Sequence, residues 1–234
     1  MTAVLELQGV RKNYSGLRPL RMDDLRVAER ERVAISGLDA PAGELFVNLV
    51  TGAAVPDEGI VRAFGRSTSD IVDGDAWLAS LEQFGIVSPR AVLLEEATIE
   101  QNLAMPFTLQ IDPVPAEVVE QIRTLAAQAG LETGMLSAPA GTVGGVARAR
   151  VHLARAAALA PKMLVLEHPT VDVAEADRKA FGRDVARVAE ARGLAAVAIT
   201  MDLDFAEEFA HRSLALEAAT GALKPWKRKR GWFR

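Results

Sequence analysis

The residues with the most chemical potential lie at Gly37-Leu38-Asp39-Ala40-Pro41-Ala42-Gly43-Glu44. An apolar run, Arg32-Val33-Ala34-Ile35-Ser36, precedes them and reads as a strand. Leu45 to Val50 follows and reads as the first turns of a helix. A glycine-bearing loop between a strand and a helix is the setting of a phosphate-binding loop. Such a loop needs glycines for close backbone approach, a lysine for the β- and γ-phosphates and a hydroxyl for magnesium. Here Ala42 replaces the second glycine, Gly43 holds the lysine position and Glu44 holds the hydroxyl position. Slipping the register by one residue only moves Glu44 to the lysine position. Further along, Glu167 and His168 end the apolar run Met163-Leu164-Val165-Leu166, so a carboxylate and an imidazole stand side by side.

Each group has a plain alternative. His168 has the reference pKa of a general base, about 6.5, but with no held phosphate or metal it reads as structural. Glu44 and Glu167 together could hold a hard cation, but two ligands are few, and solvated loop acids are the simpler reading. No metal site is expected. His152 and His211 have no metal-spaced partner, and there is no HExxH or GxSxG motif, so other hydrolase chemistries lack support.

The elements that must position these groups alternate. Val4 to Leu7 and Gly59 to Phe64 read as strands, and Met163 to Leu166 and Ala195 to Ile199 as buried parallel strands. Residues 116–130 carry Val119, Ile122, Leu125 and Ala126 on one stripe at helical spacing. Helices are expected also near 145–159 and 174–192. Strands alternating with helices predict an α/β fold with a mainly parallel sheet. The helical stretch 89–161 interrupts the alternation as an inserted subdomain, so the core is expected at 1–88 and 162–223.

The chain has 234 residues, half of them apolar, which suffices for one sizeable core and excludes intrinsic disorder. No run approaches the ~20 apolar residues of a spanning helix, and the first residues do not read as a secretory signal. With no cysteine there is no disulfide, thiol nucleophile or thiolate metal site. These features predict a cytoplasmic protein, or one peripheral on the inner face of the cell membrane. Lys224 to Arg234 holds six basic side chains and no acidic one; removing them from the net charge of −4 leaves −10 for residues 1–223. An acidic body argues against nucleic acid as a partner. The tail interleaves Lys227, Arg228, Lys229 and Arg230 with Trp226, Trp232 and Phe233. Cations and aromatics mixed in this way suit an anionic membrane surface or an acidic partner.

Taken in order, these segments resemble the ATP-binding subunit of ABC transporters, a P-loop NTPase-like fold with an antiparallel β edge. The resemblance covers residues 5–223. It rests on Tyr14, on the loop and the run Leu45 to Gly52, and on Pro56-Asp57-Glu58-Gly59. It rests further on Thr98 to Pro106, Arg150 to Ala156, Leu164 to Thr170 and Thr200-Met201-Asp202. The resemblance implies roles. Tyr14 is where that family stacks an aromatic on adenine. Pro89 takes the place of the glutamine that senses metal and permease. Val143-Gly144-Gly145-Val146-Ala147 replaces the LSGGQ signature, keeping Gly144 and Gly145. Glu167 replaces the metal-side aspartate, His168 the catalytic glutamate and Met201 the switch histidine. Thr98 and Asn102 lie in the segment that faces the permease.

With the loop and these positions all changed, the expectation is a chain not selected for hydrolysis, and no cofactor is expected. The resemblance implies an integral membrane permease as partner and pairing, as a homo- or heterodimer, with another ATP-binding subunit. The segments 98–106 and 145–156 look closest to the lipid and lipoprotein trafficking branch. Two alternatives stand beside this reading. One is a weakly active ATPase that binds ATP and magnesium and relies on Glu167. The other is a soluble interaction module that has left transport.

Overall fold

Side chains along the buried strands part alternately to two faces, and both faces are covered. In the computed structural model, which describes residues 2–228, β3 (Arg32–Ser36) sends Val33 and Ile35 to one core and Ala34 to another. The same alternation sorts Met163 and Val165 from Leu164 and Leu166 in β7 (Met163–Glu167), and Val197 from Ala196 and Ala198 in β8 (Ala195–Ile199). A strand buried on both faces must be apolar throughout, which is why these runs read as continuous rather than alternating.

The six-stranded sheet has the order β10-β9-β3-β8-β7-β6, with β6 at Phe84–Val87, β9 at Arg212–Leu216 and β10 at Leu223–Pro225. All its pairings are parallel except that of β10 with β9. A second, antiparallel sheet has the order β2-β1-β4-β5, from β1 (Ala3–Lys12), β2 (Leu20–Ala28), β4 (Glu58–Ala63) and β5 (Arg66–Ser67). Between the sheets lies α1 (Ala40–Thr51), which buries Leu45, Phe46, Leu49 and Val50 in the same cluster as β1, β2 and β4. This is the expected α/β, P-loop NTPase-like architecture with an antiparallel edge.

On the other face of the parallel sheet, α3 (Ile99–Ala104), α4 (Ala116–Gln128) and α5 (Gly145–Ala157) pack into one apolar cluster. With them lie α6 (Glu175–Ala191) and α7 (Leu203–Phe209). The first three fall within residues 89–161. A short helix, α2 (Gly74–Leu81), precedes β6.

Four details differ from the sequence reading. Helix α1 starts at Ala40 rather than near Leu45, because Asp39 caps it and Pro41 sits in its first turn, where a missing N–H costs nothing. On α4 Ile122, Leu125 and Ala126 are buried as expected, but the stripe begins at Val118, with Val119 only half-buried. The hairpin of β1 with β2 has no tight-turn dipeptide to announce it, since residues 13–19 join its strands. The expected tail boundary at 224 falls inside β10: Lys224 pairs with Ala215 and Pro225 with Leu214, and the Trp226 N–H donates to Ser213 O at 2.8 Å.

Candidate functional site

Only Gly37, Leu38 and Asp39 separate β3 from α1. Gly37 has φ 90°, a backbone conformation that suits glycine, and its N–H meets the Met201 sulfur at 3.3 Å. Leu38 is buried and pins the loop to the core. Asp39 Oδ1 accepts the Ala42 N–H at 3.0 Å, and the Asp39 carbonyl accepts the Gly43 N–H at 2.8 Å. Pro41 has no N–H. Of the donors at the head of α1, which would otherwise favour an external anion, the Ala42 N–H is thus directed at the Asp39 carboxylate, while the Gly43 N–H closes the first helical turn.

The second half of the site converges on Glu167, the last residue of β7, whose side chain is 2% exposed. Arg90 Nη1 donates to Glu167 Oε1 at 2.9 Å and Nη2 to Oε2 at 2.8 Å, while Nη1 also lies 3.2 Å from Glu44 Oε2 on α1. The Ser88 hydroxyl donates to Glu167 Oε2 at 2.9 Å, and the Arg90 N–H donates to Ser88 Oγ at 3.2 Å. A fork-to-fork arginine–carboxylate pair of this geometry is directional as well as charged. Sequence reasoning stopped at Pro89 and missed its neighbour. The sequence holds one hint, that Arg90 is the one basic residue in 88–98, but the convergence of Glu44 and Glu167 on it is visible only in the fold.

His168 follows Glu167 with φ 43°, and its N–H donates to Ile199 O at 2.9 Å. Its imidazole Nε2 is buried without a hydrogen-bond partner and sits 2.9 Å from where a Gly43 Cβ would stand. The ring therefore occupies the space that any side chain at 43 would need first. Pro89, His168 and Met201, with Ala40 and Val171, border an open groove of about 460 Å³, and Met201 is 66% exposed.

Tyr14 is half-buried beside a cavity of about 410 Å³ that it shares with Leu38, Asp39 and Ala42. Burial, and then the Asp39 charge, push its phenol above the ordinary tyrosine value. Gly144 caps the start of α5 and Gly145 opens it. A Cβ on Gly145 would lie 1.8 Å from the Asp172 carbonyl oxygen, so only glycine fits. Gly145 borders a cavity of about 120 Å³ that also touches Ser88, His152, Glu167 and His168. Burial lowers the His152 pKa, helped by Arg155 and Arg148 and opposed by Asp172. The structure thus gathers Gly37, Asp39, Ala42, Gly43, Glu44, Pro89, Glu167, His168 and Met201 at one end of the parallel sheet, with Tyr14 and Gly145 bordering the adjoining cavities. Among the described residues, no three His, Asp or Glu side chains form a group able to hold a metal ion.

The expected partner contacts fare differently. Thr98 caps α3 in a reciprocal box with Gln101. Asn102 is fully buried (0% exposed) and bonds Leu94, Ala97 and Thr98 backbone groups, so it shapes the segment from within and offers no side chain to a partner. Trp226 packs half-buried against the helical layer rather than standing free for a membrane. Lys227 is exposed, whereas Arg228 pairs with Asp204 and Glu207 of α7. Lys229, Arg230 and Trp232 lie outside the described residues. No helix among the described residues is long and apolar enough to cross a membrane.

Comparison with known proteins places these features in a family. The family model described as "ABC transporter" matches residues 20–171. The Fe(3+) ions import ATP-binding protein FbpC of Mesorhizobium japonicum is 29% identical over 88% of this chain, which spans 56% of that relative's length. The chain likewise spans 60% of the sulfate/thiosulfate import ATP-binding protein CysA of Caulobacter vibrioides, at 26% identity over 89% of this chain. The lipoprotein-releasing system ATP-binding protein LolD 2 of Caulobacter vibrioides is 31% identical over 92% of this chain and 94% of its own. Among solved structures, cbiO1 of Clostridium perfringens, part of the ABC transporter complex cbiONQ, superposes with TM-score 0.76 at 19% identity, covering 92% of this chain and 85% of that one. The bacterial ABC transporter cassette MJ0796, in a dimeric structure, superposes with TM-score 0.75 at 22% identity, covering 97% of this chain and all of that one. The chain belongs to the ABC transporter family, as an ATP-binding-type subunit.

Proposed function

We propose that this chain is a catalytically silent ATP-binding-type subunit, which docks on an integral membrane permease and pairs with a second subunit that carries the hydrolysis. The observation that carries the reading is the Asp39 carboxylate bonded to the Ala42 N–H at the head of α1, with glycine at the lysine position. A second carboxylate, Glu44, stands one residue on.

Magnitudes favour this reading over a working nucleotide site. Losing the lysine forfeits charge-assisted hydrogen bonds of about 1.5–3 kcal/mol. A carboxylate about 4 Å from one phosphate charge costs roughly 4 kcal/mol at an effective dielectric of 20. The helix N-terminus returns only about 0.3–2 kcal/mol, and part of that is already directed at Asp39. The residues therefore do not fit a nucleotide triphosphate with magnesium: the phosphate place faces carboxylates, and the carboxylate nearest the metal place, Glu167, is paired with Arg90. No hydrolytic step is derived for this chain.

The test is magnesium-dependent ATP turnover by the purified chain, alone and with its permease and partner subunit. The reading expects none from the chain alone, and turnover in the assembly that survives Glu167→Gln here. Turnover by the chain alone that Glu167→Gln abolishes contradicts it.

Within the family, one observation favours the lipid and lipoprotein trafficking branch: the Caulobacter LolD 2 is 31% identical over 92% of this chain, against 29% and 26% for the iron and sulfate importers named above. Co-purification with a permease that extracts lipid-anchored cargo supports that assignment. Co-purification with an ion or sulfate importer excludes it.

A further inference from the structure

Arg90 touches two parts of the core from a third. Its guanidinium meets Glu167 at the end of β7 and Glu44 on the first turns of α1, and it belongs to the segment that leaves β6 for the helical layer. The inner partner is buried, 2% exposed, whereas Arg90 and Glu44 are 45% and 50% exposed. A buried carboxylate is retained only with a cation or several donors. Arg90 and Ser88 supply both from within the chain.

Farther along, the same segment is tied to the helical layer. The Arg155 guanidinium on α5 donates to Val92 O at 2.8 Å, and Asn102 on α3 accepts from the Leu94 N–H at 2.9 Å and donates to its carbonyl at 2.9 Å. Leu93 is buried in the cluster shared by the helices and the sheet. Among the described residues, the side-chain ties from 88–98 to α1 and β7 are the hydrogen bonds of Ser88 and Arg90 to Glu167 and the Arg90–Glu44 ion pair. One residue is therefore the charged bolt between the sheet and the segment that leads into the helices.

We propose that Arg90 is a built-in counter-cation, which takes the place a metal ion would otherwise fill between Glu44 and Glu167 and holds segment 88–98 in one position without nucleotide. The inference rests on the silent reading in one respect, that no nucleotide or metal enters the site. It adds that the helical layer is held on the sheet by the chain itself. The subunit then offers its permease-facing side as a fixed platform.

Hydrogen exchange on the full chain tests it, with and without ATP and magnesium. In the parent chain, exchange in 90–97 is expected to be unchanged by ATP and magnesium. Arg90→Gln is expected to speed exchange there by about tenfold or more, and Glu44→Ala, which removes a half-exposed pair, by about two- to fivefold, with β8 unaffected in both; Arg90→Lys, which keeps the charge but not the fork, falls between the parent and Arg90→Gln. Unchanged exchange in both variants overturns the proposal, as does slowing of the parent segment by ATP and magnesium. If Arg90→Gln loosens the whole chain, Glu44→Ala decides, because it leaves the Arg90–Glu167 pair in place: a local rise supports the bolt, and no rise overturns it. ATP titration of the same samples separates the two claims. Absent binding with unchanged exchange overturns the bolt alone, and ATP binding by the parent chain overturns the silent reading.

Discussion

Arg90 and Glu167 form a two-pronged ion pair, 2.9 and 2.8 Å between its atoms, that joins the end of β7 to the segment after β6. Glu167 is the buried member and Arg90 reaches it from the surface. That asymmetry sets the cost of breaking the pair. Removing one partner of a fully buried pair costs about 3–5 kcal/mol, and exposure of Arg90 screens part of it.

Arg90→Ala is accordingly expected to destabilise the chain by about 1–3 kcal/mol in urea unfolding, with an unchanged slope. Changing Glu167 to Gln in the same chain should recover part of the loss, because the residual side chain is no longer an unpaired charge. Equal stability of Arg90→Ala and parent would contradict the pairing.

Gly43→Lys restores the lysine of a phosphate loop but should not bring ATP binding at millimolar concentration. The new Cβ would meet the His168 ring 2.9 Å away, and Asp39 still faces the phosphates. Adding Asp39→Ser keeps a capping oxygen while removing the charge, with a stability change within about 0.5 kcal/mol. Calorimetry on the single and double variants separates the lysine effect from the carboxylate effect.

Gly145→Ala is expected to cost about 1–3 kcal/mol by overpacking, because the Asp172 carbonyl stands where the methyl group must go. Thermal melting reads the loss. Gly144→Ala is the control, since nothing lies within contact of its added methyl group.

His152 gives a pH dependence of defined sign. Its folded pKa is depressed, first by burial and then by Arg155 and Arg148, so the folded state resists its protonation. Below the ordinary histidine value of about 6.5 the unfolded chain binds the proton more readily. Its contribution to stability is full above that value and falls as pH drops toward the depressed one. Melting temperatures from pH 8 to pH 5 should decline less steeply for His152→Gln than for the parent. Parallel profiles would contradict the assignment.

Much of the fold is legible in the residues because both faces of the central strands are buried. Val33-Ala34-Ile35, Met163 to Leu166 and Ala195 to Ile199 could only be interior strands. The β1–β2 hairpin was not legible, since its strands are joined by residues 13–19 without a tight-turn dipeptide, and neither was β10, three residues long with a proline. At the site, Gly43 and Glu44 could be found from the strand–loop–helix pattern, although they fall inside α1, and Glu167 and His168 from their place at the end of an apolar run. Arg90 could not be found from its own position. Its role depends on a carboxylate 77 residues away in sequence and on a second one in α1. Asn102 reads as a partner contact because the resemblance places its segment, Thr98 to Pro106, against the permease. Its three backbone carbonyl partners and one N–H, all within eight residues, are what bury it.

The account stands on the loop between β3 and α1 being held by its own carboxylate instead of a phosphate. Calorimetric titration of the purified chain with ATP, with and without magnesium, tests that most directly. No heat of binding at millimolar ATP is the predicted result, under both conditions. Binding at micromolar strength would contradict the account and make the chain a nucleotide-binding subunit despite Asp39 and Glu44.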